Sequence, residues 1–414
     1  MGDVPRAYPP DLARFVAAQW PSGLPIAEAL LGEALAISYQ ASMTEEEARP
    51  TRFRLLLTPP DALPPEGEAN RGVLRFVFDH SRPFQVDELR RLAPAAPFET
   101  ALIGAREVDG ALRIWGVAHS GPAWLAPTWG GRGPDSNWTL DPIVHVYAPG
   151  HIAVRRGGVL VGAIERGVLV DATLDVFDSA WLPALFASER EEVRAAHETA
   201  QADRPKPTTV EHSLVSRISQ HMLRRSIQII RSAEHGGLLL IVDGGAALEG
   251  LRLKYRMLED EPTRRYRALL LRLLEALADS TDAPSIGWSD FLTNASPHLE
   301  RLEHDVFEWS RVIANLAAID GAVVLDKRFD LVGFGAEVSA ELRAPERVWR
   351  ALDREGTRRQ PEESESVGTR HHAAYRFVND HPSGVAIVVS HDGGVTFVAN
   401  RDGEIVFWEQ TDSP

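Results

Sequence analysis

The chain has 414 residues, is 44% hydrophobic and 25% charged, and carries a formal net charge of −15 with no cysteine. Its length suits two or three domains with sizeable cores. The acidic balance, 59 Asp and Glu against 44 Lys and Arg, argues against DNA, RNA or a membrane surface as partners, and the lack of cysteine excludes disulfides and thiolate metal sites.

Read in order, IAEALLGEALAISY (26–39) has helical apolar spacing. FRLLLT, LRFVFD, LRIWGVAH, IVHVYA and GVLVGAIERGVLV then read as strands, separated by loop chemistry in LPPEGEANRG and WGGRGPDSNW. The last strand run is the longest apolar candidate, and Glu165 and Arg166 break it far short of a membrane span. The start, MGDVPRAYPPD, lacks a signal-peptide pattern, so a cytoplasmic location is expected. Charged, Pro-containing sequence follows around 188–210. The expected organisation is therefore a first domain at 1–190, a linker at 191–212 and a second domain at 213–414.

The second domain opens with an amphipathic helix over 213–234 and a continuous apolar strand in HGGLLLIVDGG, of the kind buried on both faces. Residues 251–318 read as a helical insertion, with helix starts at TDAPS and TNASPHLE. Strands return in GAVVLD, FDLVGFGAEV, GVAIVVS, GVTFVAN and EIVFWEQ, joined by the hairpin turns DKRFD, HDGG and NRDGE. REGTRRQPEES reads as a surface loop. The fold class predicted is α/β: an α+β first domain, then a mixed sheet flanked by helices.

No P-loop is present, and VDGGAALEG (242–250) reads as a strand-to-helix turn. His145 and His151 lack carboxylates at ligand spacing and read as structural. VGTRHHAA allows two readings, an ordinary capped helix or a phosphate site. In the second, helix N-terminal N–H groups, the Thr369 hydroxyl and the Arg370 guanidinium would converge. Asp320 and Gly321 likewise read either as a turn or as a carboxylate able to hold Mg²⁺ or Mn²⁺ beside a close backbone approach.

Taken together and in this order, GGLLLIV, DGAVVL, GTRHHAA and AIVVSHDGGVTFV resemble the bacterial diadenylate cyclase domain, over residues 213–410. The preceding YQASMTEEEARPTRFRL and FQVDELRRLAPAAPFETALIGA resemble the DACNV-type sensor domain found ahead of some such cyclases. The resemblance implies that two ATP molecules on facing domains of a homodimer, or a higher homo-oligomer, condense into cyclic di-AMP with release of pyrophosphate. It implies that Asp320 binds the Mg²⁺ or Mn²⁺ and helps activate the 3′-hydroxyl, with Asp392 as a second metal residue. Gly321 and Ala322 would flank the nucleotide, Gly368, Thr369, Arg370, His371 and His372 would hold phosphates, and Ser390 would contact the nucleotide from a strand end.

Three features depart from the family pattern. His372 stands where the family has a second Arg, replacing a permanent cation by an imidazole. His391 and Asp392 follow Val-Ser in place of the family's acidic pattern, and Ile319 precedes Asp-Gly-Ala where some members carry a metal-binding His. These departures keep a second expectation open: a weak or inactive nucleotide-binding regulator with the same fold.

Overall fold

A computed structural model describes residues 6–410, apart from 22, 64–72, 99, 121–140, 158, 166, 172–174, 234, 245–247, 259–261, 295, 365–366 and 392. The chain divides into two units, the second beginning at residue 173.

The first unit places helices α1 (Pro9–Gln19), α2 (Glu28–Ser42) and α3 (Val86–Leu92) with an eight-stranded sheet. Two short strands, β1 (Glu45–Glu46) and β2 (Arg49–Pro50), pair with each other. The sheet runs β10 (Val168–Asp171), β9 (Val159–Glu165), β8 (His151–Arg156), β7 (Pro142–Ala148), β3 (Phe53–Leu57), β5 (Ala101–Val108), β6 (Ala111–His119) and β4 (Leu74–Pro83). Every neighbouring pair is antiparallel except β3 with β5. Leu12, Val16, Leu31 and Leu35 cover the face formed by Phe53, Leu55, Ile103 and Val144. The expected run GVLVGAIERGVLV is two strands, since it folds back as the β9–β10 hairpin. In β5, Gly104 interrupts the apolar pattern for a packing reason: a Cβ there would lie 2.1 Å from the Trp115 ring.

The second unit is three-layered. It contains α4 (Trp181–Ala184), α5 (Ala187–Gln201), β11 (Thr209–Val210), α6 (His212–Ser232), β12 (Gly237–Val242), β13 (Leu251–Arg256), α7 (Arg265–Asp279), β14 (Ser285–Ile286), α8 (Trp288–Thr293) and α9 (Pro297–Leu316). There follow β15 (Ala322–Asp326), β16 (Leu331–Val338), β17 (Arg347–Ala351), β18 (Arg359–Glu363), α10 (Thr369–Asp380), β19 (Val385–Val389), β20 (Val395–Arg401) and β21 (Glu404–Gln410). The nine-stranded sheet runs β13–β16–β15–β12–β19–β20–β21–β17–β18 and is mixed, with β12–β15 and β17–β21 parallel. β12 is buried along its whole length because it is covered twice. Leu239 and Ile241 face the helical layer of α6, α7 and α9, while Leu238, Leu240 and Val242 face α10.

Several boundaries differ from the expectation. Residues 191–212 are no free linker, because α5 and its approach belong to the second unit and bury Trp181, Phe186 and Val193 in its core. The insertion at 251–318 begins as a strand, β13, paired antiparallel with β16, so VDGGAALEG leads to a strand and not to a helix. The helix foreseen at TDAPS starts at Trp288, after Ser285–Ile286 pairs with Thr209–Val210. The one at TNASPHLE starts at Pro297, where Ser296 Oγ accepts from the His298 N–H. Much of the polar REGTRRQPEES loop is strand β18, a largely exposed edge whose residues show no alternation.

Candidate functional site

Strand directions bring the two sequence motifs to one end of the second unit's sheet. β12 and β15 are parallel, with Leu239 opposite Val323, so their N-terminal ends coincide. β16 and β19 run antiparallel to them, with Ala336 opposite Ala322 and Val389 opposite Gly237, and so end at the same place. The turn after α9 delivers Asp320 there, and α10 starts beside it. Leu238, Asp320, Gly321, Ala336, Glu337, Val338, Thr369, Arg370 and Ala373 line a cleft of about 210 Å³. Asp320 and Gly321 thus share one cavity with Thr369 and Arg370.

Backbone constraints hold each part. Gly321 has φ +109°, and a Cβ there would sit 2.6 Å from the Gly335 carbonyl carbon and 2.9 Å from the Ala336 nitrogen. Its lack of a side chain is therefore demanded by the β15–β16 approach that aims Asp320 at the cleft. Gly236, with φ +65°, performs a similar service for Arg370: a Cβ there would lie 2.6 Å from Nη1. The guanidinium instead reaches over this glycine and donates through Nη2 to the His235 carbonyl at 3.3 Å. Gly368 caps α10 without a side-chain hydrogen bond, and its carbonyl accepts from the His371 and His372 N–H groups at 3.0 and 3.2 Å.

The other expected residues that the structure describes lie around the cleft, not in its lining. Ala322 is buried in the layer under α10. His371 Nε2 meets Thr396 Oγ1 at 3.2 Å, which turns the ring toward β20. His372 is half-buried, with its N–H donating to the Gly368 carbonyl at 3.2 Å. Ser390 closes the β19–β20 turn by donating from N–H to the Gly394 carbonyl at 2.8 Å. It adjoins the Arg370 anchor, since Val389 O and His391 N both lie within 3.2 Å of the Cβ position at Gly236. Asp392 is outside the described residues, and Ile319 is exposed beside Asp320.

Glu337, Leu238, Val338 and Gly236 were not singled out from sequence. The positive φ at Gly236 had one visible signal, the double glycine before an apolar strand. Glu337 receives Lys254 Nζ at 3.0 Å, which holds its carboxyl below the usual range. Lys254 is raised first by that hydrogen bond and also by the charge of Asp320. Among the described residues no group of three or more His, Asp or Glu could hold a metal ion. Asp320 and Glu337 in the cleft still fit a hard cation that takes one or two carboxylates and completes its shell with substrate phosphates and water.

In the first unit, His145 is buried, with Nδ1 2.9 Å from the Tyr147 hydroxyl and its ring edge-on to Phe98. Burial pushes its pKa well below the usual value, and the charges of Arg155, Arg54 and Arg52 push the same way. The unfolded chain therefore binds the proton more readily. Stability from neutral His145 is present above about pH 6.5 and is lost as pH falls from there toward the lowered folded value. Amide exchange in β7 and β8, corrected for intrinsic rates, should speed up between pH 7 and pH 5 in the full chain and much less in His145→Gln. Equal acceleration in both would place the acid sensitivity elsewhere.

Residues 22–119 match the family model described as "Probable sensor domain DACNV". The chain carries a sensor-type domain. That match lies within the first unit. No curated protein matches the chain. Among solved structures, a hypothetical membrane spanning protein from Bacillus cereus aligns at 14% identity, covering 55% of this chain and 92% of its own, with a TM-score of 0.22. At that score the likeness carries no argument. No helix among the described residues is long and apolar enough to cross a membrane.

Proposed function

We propose that the second unit is a metal-dependent diadenylate cyclase, and that the sensor-type domain controls it. The observation that carries this reading is the single cleft shared by Asp320–Gly321 and Thr369–Arg370. Thr369 and Arg370, at the N-terminal end of α10, offer a hydroxyl, the positive end of the helix and a guanidinium to a phosphate chain. Asp320 would hold Mg²⁺ or Mn²⁺, with Glu337 beside it; when bound, the cation neutralises phosphate charge and lowers the pKa of the attacking hydroxyl. Leu238, Val338 and Ala373 give the cleft an apolar wall.

In the proposed reaction the 3′-oxygen of one ATP attacks the α-phosphorus of another. A P–O bond forms, the bond to the β-phosphate oxygen breaks, pyrophosphate leaves, and the hydroxyl proton passes toward Asp320 or solvent. Repeating the step in the opposite direction closes the ring. The chain's own contribution is positioning and charge, as phosphoryl-type transfer requires. One copy of the cleft offers one phosphate-holding set, so ring closure needs two facing copies. Product formation should rise more steeply than linearly with protein concentration below the dimerisation constant and linearly above it. A strictly linear rate from a monomer would overturn the facing arrangement.

A second reading, a nucleotide-binding regulator with weak or no turnover, draws on one observation: His371 turns to Thr396, and neither it nor His372 lines the cleft. ATP binding without product would select that reading.

A further inference from the structure

Lys254 was no part of either motif, yet two contacts tie it to the cleft. Its stem lies along Gly335, with Cβ and Cδ 3.4 and 3.5 Å from the position of a Cβ there. Gly335 is the residue whose backbone abuts Gly321, so the stem crosses the glycine pair that sets Asp320. Its ammonium sits 3.0 Å from Glu337, which lines the cleft. The charge of Asp320 also acts on it.

Without this lysine the cleft wall is poorly matched to a polyphosphate, because Asp320 and Glu337 face one cation, Arg370. Arg252 approaches Glu337 only at 3.9 Å with its side chain 85% exposed. An ammonium on a flexible four-carbon stem can exchange partners in a way that an anchored guanidinium cannot. The half-exposed pair with Glu337 is weak, whereas a charge-assisted bond to phosphate is strong. We propose that Lys254 is a polyphosphate-positioning residue, parked on Glu337 in the free protein and transferred to the terminal phosphates of a bound nucleoside triphosphate. This rests on the nucleotide reading of the cleft.

The test is binding to the full chain, in the absence of divalent metal, of three probes: tripolyphosphate, ATP and adenosine. Lys254→Met should weaken tripolyphosphate and ATP about tenfold and leave adenosine unchanged, while Lys254→Arg recovers most of the loss. Glu337→Gln, which releases the ammonium and removes a repelling carboxylate, should tighten tripolyphosphate severalfold. A loss confined to the phosphate probes, recovered by Lys254→Arg and absent for adenosine, is not what a merely structural pair gives. With metal and ATP present, Lys254→Met should raise KM with kcat changed by less than about threefold. Wild-type affinity for tripolyphosphate in Lys254→Met would overturn the assignment of Lys254 alone. Failure of the wild type to bind either ATP or tripolyphosphate would overturn the nucleotide reading, and Lys254 with it.

Discussion

Asp320→Asn should lower cyclic di-AMP formation by about a hundredfold or more, since the amide keeps the shape but loses the charge that would hold the cation. Asp320 is exposed at the cleft, so the change should leave stability within about 0.5 kcal/mol of wild type. That combination separates a chemical role from a folding one. Rates of product formation and urea melts on the same preparations check it. A variant that keeps most of the wild-type rate would remove Asp320 from the mechanism. Gly321→Ala is a useful contrast, because the added methyl meets the Gly335 and Ala336 backbone and should lose stability and activity together.

The second large effect concerns where the chain can be cut. A second unit starting at residue 173 should fold, whereas one starting at 206 should not. The difference lies in what residues 175–201 bury. Trp181 stacks on Trp408 with centroids 4.4 Å apart and donates Nε1–H to the Arg354 carbonyl at 2.9 Å. Phe186 stacks on Phe329, and Asp175 pairs with Arg224 at 2.8 Å. Glu192 bridges Arg267 at 3.0 Å and Arg328 at 2.9 Å. Losing one buried Trp costs about 3–5 kcal/mol, against a total stability of about 5–15 kcal/mol for an ordinary domain. Removing Trp181, Phe186, Val193 and the Asp175 pair together should exceed that total. Circular dichroism and urea melts of the two truncations are the check. Equal cooperative unfolding of both would mean that this segment is an ornament of the core.

The same segment shows where sequence reasoning stops. α5 reads as charged and linker-like because only Val193, His197 and Gln201 of its fifteen residues are buried. Its anchors, Trp181 and Phe186, precede it in a Pro-containing stretch without periodicity. By contrast, β12, β15 and β19 were legible, because strands covered on both faces must be apolar throughout. The hairpins at DKRFD, HDGG and NRDGE follow the turn chemistry seen in the sequence, with Phe329 and Asp402 in left-handed backbone. β17 and β18 were missed: β18 is a polar edge with no alternation to read, and β17, between β21 and β18, shows only Val348 and Trp349 between two arginines.

The site was legible in half. Asp320, Gly321, Thr369 and Arg370 could be singled out because two short motifs occur in order between strands. Glu337 and Lys254 could not: each looks like an ordinary surface charge, and only the β13–β16–β15 register brings them to Asp320. Gly321 also gained a different reason. Its missing side chain makes room for the neighbouring backbone, whereas the sequence suggested room for a nucleotide.

The most direct test is to incubate the full chain with ATP and Mn²⁺ or Mg²⁺ and identify the products by mass. Cyclic di-AMP and pyrophosphate are expected from the wild type, and none above background from Asp320→Asn or Arg370→Ala at equal protein concentration. ATP bound but recovered unchanged, or product made equally by the two variants, would contradict it.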